Sequence, residues 1–370
     1  MRYLLLAMLL SVALIGCSQE NTADKQTAAD IRVGKDVAEK ECKACHGLDG
    51  RGAAPGIPNL AGQRGRYIMA ALQEYKEGRR THAALRTIAT DLTDDQTRGI
   101  AAFYASLKPI APEKGPVFSP YENGKTVSAE CAACHGADGN SKIPGTPNLA
   151  GQQPIYFVAA TQEYLTGKRE SAPMDPMLRK LSKLDIESVA LYYASQNPTP
   201  REAPSSGNPA LGEPRTAVCG GCHGSHGVSI DTATPSLAAQ DPQYLVRAIK
   251  GYRTSRKNDT MARVVASLTD QEINDIVAFY ASQRSKPAED GQNLLKDITD
   301  KCNRCHAGDI NNPALAIPII NAQDKDYLVI ALRAYRDGKR GSSLMHNMSV
   351  PYGDSIIESI ASYYASLPAK

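Results

Sequence analysis

Apolar residues in this chain recur at three- and four-residue intervals, and the stretches with that period return in the same order four times. "RYIMAALQEYKEGRR", "IYFVAATQEYLTGKR", "QYLVRAIKGYRTSRK" and "DYLVIALRAYRDGKR" each carry a tyrosine at the start and another eight residues later. The spacing predicts an amphipathic helix, and in three copies a glycine followed by basic residues supplies the stop. The basic residues that follow are expected to sit at solvated helix ends, with pairing to the carboxylates of a bound group or to a partner's acidic patch as the alternative. A second recurrent stretch, "QTRGIAAFYASL", "DIESVALYYASQ", "EINDIVAFYASQ" and "SIIESIASYYASL", predicts a closing helix whose paired aromatics pack on a leading helix. Leading helices are read in "GKDVAEKECKACH" from Gly34 and "GKTVSAECAACH" from Gly124; in "GEPRTAVCGGCH" Pro214 fits only a first turn. No stretch alternates with period two, so the fold is predicted to be all-α.

The repeats are set by "CKACH", "CAACH", "CGGCH" and "CNRCH", which start at 42, 131, 219 and 302, giving spacings of 89, 88 and 83 residues. That is the size of a small domain rather than a solenoid unit. Proline-rich polar stretches at 108–120, 197–209 and 285–291 read as linkers, which places four tandem helical domains at 31–108, 121–197, 209–286 and 291–370.

Cys-x-x-Cys alone serves redox, zinc and haem chemistry. Here every copy ends in histidine, none is followed by a second pair at zinc-ribbon spacing, and eight of the nine cysteines lie in the four motifs. The pattern is that of c-type haem attachment: Cys42 and Cys45, Cys131 and Cys134, Cys219 and Cys222, and Cys302 and Cys305 bond four haem groups, and His46, His135, His223 and His306 coordinate iron. Twelve residues after each histidine stands a proline, Pro58, Pro147, Pro235 or Pro318, opening "PNLAGQ", "PNLAGQ", "PSLAAQ" and "PIINAQ". A metal-binding imidazole needs an acceptor for its second nitrogen, and the carbonyl of this proline is the candidate. Seventeen tyrosines, four phenylalanines and no tryptophan are a sparse aromatic supply for four cores, a deficit that covalent macrocycles would fill.

Residues 1–16 read as an export signal, with one early basic residue and an apolar run. "LIGC" ahead of "SQENTADKQTAAD" resembles a bacterial lipoprotein box, which implies a lipid on Cys17, outer-membrane sorting from the following serine, and a flexible tether over 17–30. The competing reading is an ordinary leader cut a few residues later. No other stretch approaches a membrane span. The formal charge is +3, and eight haem propionates would turn the loaded protein net negative; nothing points to nucleic acid.

Taken together, "CHGxDG", "PNLAGQ", "YxxGxR", "LSxxD" and "YYAS" resemble class I cytochromes c, in the order found in the two-domain cytochrome c4 family, with four domains here in place of two. The resemblance implies an exported electron carrier with redox proteins as partners, and a methionine as the second axial ligand. Counting back from the closing helix reaches Met174, Met261 and Met345, with Met177 and Met348 as alternatives read otherwise as apolar filler. In repeat 1 the count lands on Leu85, which cannot ligate iron; the nearby donor is His82, whose plainer reading is a solvated loop side chain. Haem 1 is therefore bis-histidine or open under an apolar cap, and the alternative to an electron relay is a haem enzyme, or the cytochrome subunit of one, that binds a small ligand there. The relay needs no catalytic residue. His226 and His346 are read as surface residues.

Overall fold

The computed structural model describes residues 17–284, 294–306 and 316–369. The leader lies outside the described residues, as do the stretch 285–293 and the loop 307–315. Among the described residues the regular structure is helical, and the extended pairing is a single antiparallel bridge between Arg80 and Arg340. No helix among them is long and apolar enough to cross a membrane.

Repeat 1 consists of α1 (Cys17–Glu41), α2 (Lys43–His46), α3 (Gly65–Lys76), α4 (Ala83–Asp91) and α5 (Asp94–Ser106). Repeat 2 follows with α6 (Pro120–Val127), α7 (Ala132–His135), α8 (Pro154–Leu165), α9 (Met174–Leu178) and α10 (Lys183–Ala194). Repeat 3 has α11 (Pro209–Gly212), a 3-10 turn at Glu213–Thr216, α12 (Ala217–His223), α13 (Pro242–Gly251), α14 (Asp259–Val265) and α15 (Asp270–Ser282). Repeat 4 has α16 (Leu294–His306), α17 (Lys325–Arg336), α18 (Ser343–Ser349) and α19 (Asp354–Ser366). Pro214 does sit in a first turn, that of the 3-10 segment. The stretch 17–30, expected as a flexible tether, is helical as the first part of α1. Its Ala, Gln, Glu and Lys residues favour helix and it holds neither Gly nor Pro.

Leading and closing helices cross closely in repeats 1 to 3, and a glycine permits it each time. A Cβ on Gly34 would lie 1.9 Å from the Gly99 carbonyl oxygen, on Gly124 2.1 Å from that of Ser188, and on Gly212 2.0 Å from that of Asp275. The closing helices of these three repeats start with capping boxes, Thr93 with Gln96, Ser182 with Asp185 and Thr269 with Glu272, which fix where each begins. Their aromatic pairs complete the small cores: Phe103 and Tyr104 pack with Ala38, Ile68 and Cys42, and Phe279 and Tyr280 with Leu245 and Cys219.

The chain forms two compact units. One comprises the described residues up to Gly115 with those of Cys302–Pro351 and from Tyr363 on; the other comprises Pro116–Lys301 with Tyr352–Ser362. The reason lies in the "PNLAGQ" segments, which pair within each unit.

In the first unit Gln323 accepts from the Asn59 N–H at 2.6 Å and donates to the Asn59 carbonyl at 2.9 Å. Gln63 does the same to Ile319, at 2.8 Å for both bonds. Repeat 1 therefore pairs with repeat 4, across more than 250 residues of sequence.

The second unit pairs repeat 2 with repeat 3 by the same pattern. Gln240 brackets Asn148 at 2.6 and 2.9 Å, and Gln152 brackets Ser236 at 2.9 and 3.1 Å. Here the stretch read as the second linker is tied down, with the Arg201 N–H on the Ala281 carbonyl at 2.9 Å and its guanidinium on Asn148.

Candidate haem-binding sites

In each repeat the two cysteines are three residues apart on a turn of helix that ends at the histidine, so both thiols leave one face of that turn. Cys42, Cys131 and Cys219 pack against their repeat's core, while Cys45, Cys134 and Cys222 are exposed; Cys302 and Cys305 are half-buried. Burial pushes the Cys42 thiol up to about 11 and raises those of Cys131 and Cys219. Glycines with positive φ, Gly47, Gly136 and Gly224, then turn the chain away directly after the histidine in the first three repeats.

The histidines meet the prolines as the spacing suggested. His46 Nδ1 lies 3.1 Å from the Pro58 carbonyl, His135 Nδ1 2.9 Å from Pro147, His223 Nδ1 2.8 Å from Pro235 and His306 Nδ1 3.0 Å from Pro318. A carbonyl only accepts, so each Nδ1 carries the proton and each Nε2 presents a lone pair. Burial holds all four imidazoles below the ordinary histidine range, against the opposing pull of the carbonyl. A neutral imidazole with a fixed tautomer is the form that ligates metal.

The second-ligand candidates occupy one register. Leu85, Met261 and Met345 each stand three residues after a helix-capping side chain, that of His82, Asn258 or Ser342, which accepts from their backbone N–H. In repeat 2 the Met174 N–H bonds instead to the Ser171 carbonyl, also three residues back. Four residues further on, Ala89, Leu178, Val265 and Ser349 are all buried. All four candidate positions are half-buried. Met177 and Met348 fall at the position that Ile88 and Val264 hold in the other repeats, an apolar slot. His82 is exposed, and its Nδ1 accepts from the Leu85 N–H at 3.3 Å. His226 is exposed and stacks loosely near Phe279; His346 is half-buried, with Nδ1 2.7 Å from the Tyr335 carbonyl.

Of the basic residues expected at solvated helix ends, Arg79, Lys168, Lys257 and Lys339 are exposed, whereas the arginine beside each is not. Arg80 is 6% exposed and Arg340 9%. In the first unit they close around tyrosines: Arg340 donates to Tyr67 at 2.8 Å and to Tyr327 at 3.4 Å, and Arg80 lies over the Tyr67 and Tyr75 rings. Burial raises the Tyr67 phenol, but the two guanidiniums outweigh it and hold Tyr67 below its ordinary range. In the second unit Arg169 bonds Tyr156 at 3.3 Å and Arg256 bonds Tyr244 at 3.1 Å, and Tyr244 is likewise drawn down. The physical reason is the pairing of repeats, which buries these helix ends against one another within each unit. A regularity in sequence did mark them: each arginine follows the first tyrosine of its helix by 12 or 13 residues.

Three features fit a covalently held macrocycle with acidic substituents. The cysteine pair and histidine share one helical turn, and the imidazole presents Nε2. Third, the first unit's cluster holds two guanidiniums against one carboxylate, Glu74, and the Arg340 Nε is buried with no acceptor, as a site for an anion would leave it. Haem c, when bound, supplies one-electron chemistry at its iron.

A geometry of this kind defines a haem-attachment protein, and comparison with known proteins identifies which. The family model for cytochrome c matches residues 31–108 and 121–192. Cytochrome c4 of Pseudomonas aeruginosa is 30% identical over 204 residues, covering 98% of that protein and 52% of this chain. The thiosulfate dehydrogenase electron acceptor of Stutzerimonas stutzeri is 30% identical over 200 residues, covering 91% of that protein and 50% of this chain. Among solved structures, reduced recombinant cytochrome c4 from Pseudomonas stutzeri aligns with a TM-score of 0.41 at 28% identity, covering all of that chain and 45% of this one. The chain belongs to the cytochrome c family, as a class I c-type cytochrome that binds haem c and transfers electrons.

Proposed function

We propose that the chain is a tetrahaem electron carrier of the periplasm, with one haem in each repeat. The observation that carries this reading is the fourfold recurrence of one geometry: a cysteine pair and histidine on a helical turn, with the imidazole fixed by a proline carbonyl twelve residues on. Met174, Met261 and Met345 are the second ligands of haems 2, 3 and 4, and Leu85 covers haem 1 without a donor. The capping role of His82 and its exposure favour this over bis-histidine ligation. Cys17, at the start of α1, carries lipid and holds the mature protein at the outer membrane. Redox proteins are the partners, and the relatives that serve as electron acceptors of thiosulfate dehydrogenase support a periplasmic dehydrogenase as donor.

The mass of the mature holoprotein tests the core of the proposal. Four haem additions are expected, and three or fewer would refute it. Fractionation tests the anchor, since the Cys17→Ser variant should lose membrane attachment. The second reading, a haem enzyme, rests on Leu85 alone. Carbon monoxide binding to one ferrous haem in four, with no turnover of peroxide or nitric oxide, leaves the relay in place.

A further inference from the structure

The glutamine that ends each "PNLAGQ"-type segment has no role in haem attachment, yet its side chain is buried in the pairing contact: Gln63 is 5% exposed, Gln240 5% and Gln323 6%. Its oxygen accepts from the N–H of the residue that follows it and from one peptide N–H of the opposite repeat. The carbonyl of Pro58 takes the His46 Nδ1 proton, and the N–H of that same peptide, belonging to Asn59, donates to Gln323 at 2.6 Å. His306 reaches the Gln63 oxygen through the Pro318–Ile319 peptide, with the second bond at 2.8 Å. In the second unit His135 is linked to Gln240 through Pro147–Asn148, at 2.6 Å, and His223 to Gln152 through Pro235–Ser236, at 2.9 Å. In all four cases the glutamine comes from the other repeat of the pair.

Hydrogen bonds in series polarise one another. An acceptor on the peptide N–H makes its carbonyl a stronger acceptor, which draws the Nδ1 proton further from the ring and leaves Nε2 more basic. A more basic imidazole favours ferric over ferrous iron.

We propose that these glutamines are tuning residues acting through a histidine–peptide–glutamine relay, each lowering the reduction potential of the haem held by the opposite repeat. Gln323 acts on haem 1, Gln63 on haem 4, Gln240 on haem 2 and Gln152 on haem 3. The connection is nested, so each haem is tuned from repeat 1 to 4 or from repeat 2 to 3, and never from repeat 1 to 2. The relay rests on the tetrahaem reading, and it is a positioning role: no glutamine touches the haem-binding histidine itself.

The test uses the full-length holoprotein with Gln323→Met and Gln63→Met, substitutions that keep length and remove both bonds to the opposite repeat together with the one each oxygen accepts from the next residue's N–H. Four haem additions by mass are established first in each protein, so that failure of the tetrahaem reading shows there and nowhere else. Potentiometric steps are assigned by the one that vanishes on removing Cys42 with Cys45, or Cys302 with Cys305. Gln323→Met should raise the potential of haem 1 and leave haem 4 in place; Gln63→Met should do the reverse. The ring Nδ1–H proton resonance of His46 should move in Gln323→Met and not in Gln63→Met, a response that general loosening would not sort by repeat. If Gln63→Met shifts haem 1 or haem 2, or if all four haems are attached and no step moves, the relay is wrong. Should either variant fail to mature, Gln240→Met against haem 2 and Gln152→Met against haem 3 repeat the test in the second unit.

Discussion

α4 in repeat 1 and α14 in repeat 3 share one build and differ in the side chain at the proposed ligand position. Each follows a basic loop, begins with a side-chain cap on the N–H three residues on, and buries a residue four positions later, Ala89 or Val265. At the capped position one has Leu85 and the other Met261. Backbone, cap and packing are indifferent to which of the two stands there, since leucine and methionine have similar volume and helix propensity. If Met261 is a ligand, as proposed, the fold keeps that position in repeat 1 with a residue that cannot ligate, and ligation should be exchangeable by single side chains without redesigning the repeat.

Exchanging those side chains should have the largest effect. Leu85→Met is expected to add a fourth thioether-to-iron absorption band, raise the haem 1 potential and abolish carbon monoxide binding there, because thioether ligation favours ferrous iron. Its cost in stability should stay below about 1.5 kcal/mol, as for volume-conserving core exchanges. The converse, Met261→Ala, should remove one thioether band and lower one potential. If Met177→Ala or Met348→Ala removes a band while Met174→Ala or Met345→Ala does not, the shared register is wrong for that repeat.

A middle-sized effect is expected where the helices cross. Gly124→Ala would place a Cβ 2.1 Å from the Ser188 carbonyl oxygen, so α6 must move off α10. Overpacking of this kind costs about 1–3 kcal/mol. Thermal unfolding should fall accordingly, with the thioether bands unchanged at room temperature. An unchanged midpoint would mean that the crossing yields without cost.

The cysteine pairs, the histidines and their proline acceptors were legible in the sequence because they lie within sixteen residues of one another and act within one repeat. The crossing glycines were visible as a recurring letter, though their reason needed the carbonyls of Gly99, Ser188 and Asp275. Arg340 and the four glutamines were misread or passed over for a physical reason: Arg340 reaches Tyr67 in repeat 1, and Gln63 meets a residue 256 positions away. Local periodicity cannot reveal which repeats pair. Tandem order suggests neighbours, whereas within the first unit repeat 1 meets repeat 4.

The smallest effect separates the two roles open to His82. As a helix cap it satisfies the Leu85 N–H through Nδ1, a contribution of about 1 kcal/mol that alanine forfeits and asparagine retains, as Asn258 does in repeat 3. His82→Ala should therefore lower the unfolding midpoint slightly and His82→Asn should leave it unchanged. Neither should alter the spin state of haem 1 if Leu85 is what faces the iron. Ligation through Nε2 makes the opposite demand: both variants would turn a low-spin haem high-spin, asparagine as fully as alanine, whatever happens to stability. Electron paramagnetic resonance of the two variants beside the wild type reads this directly. Because the asparagine variant keeps the cap, a spin change in it cannot be ascribed to a loosened helix and would assign His82 to the iron.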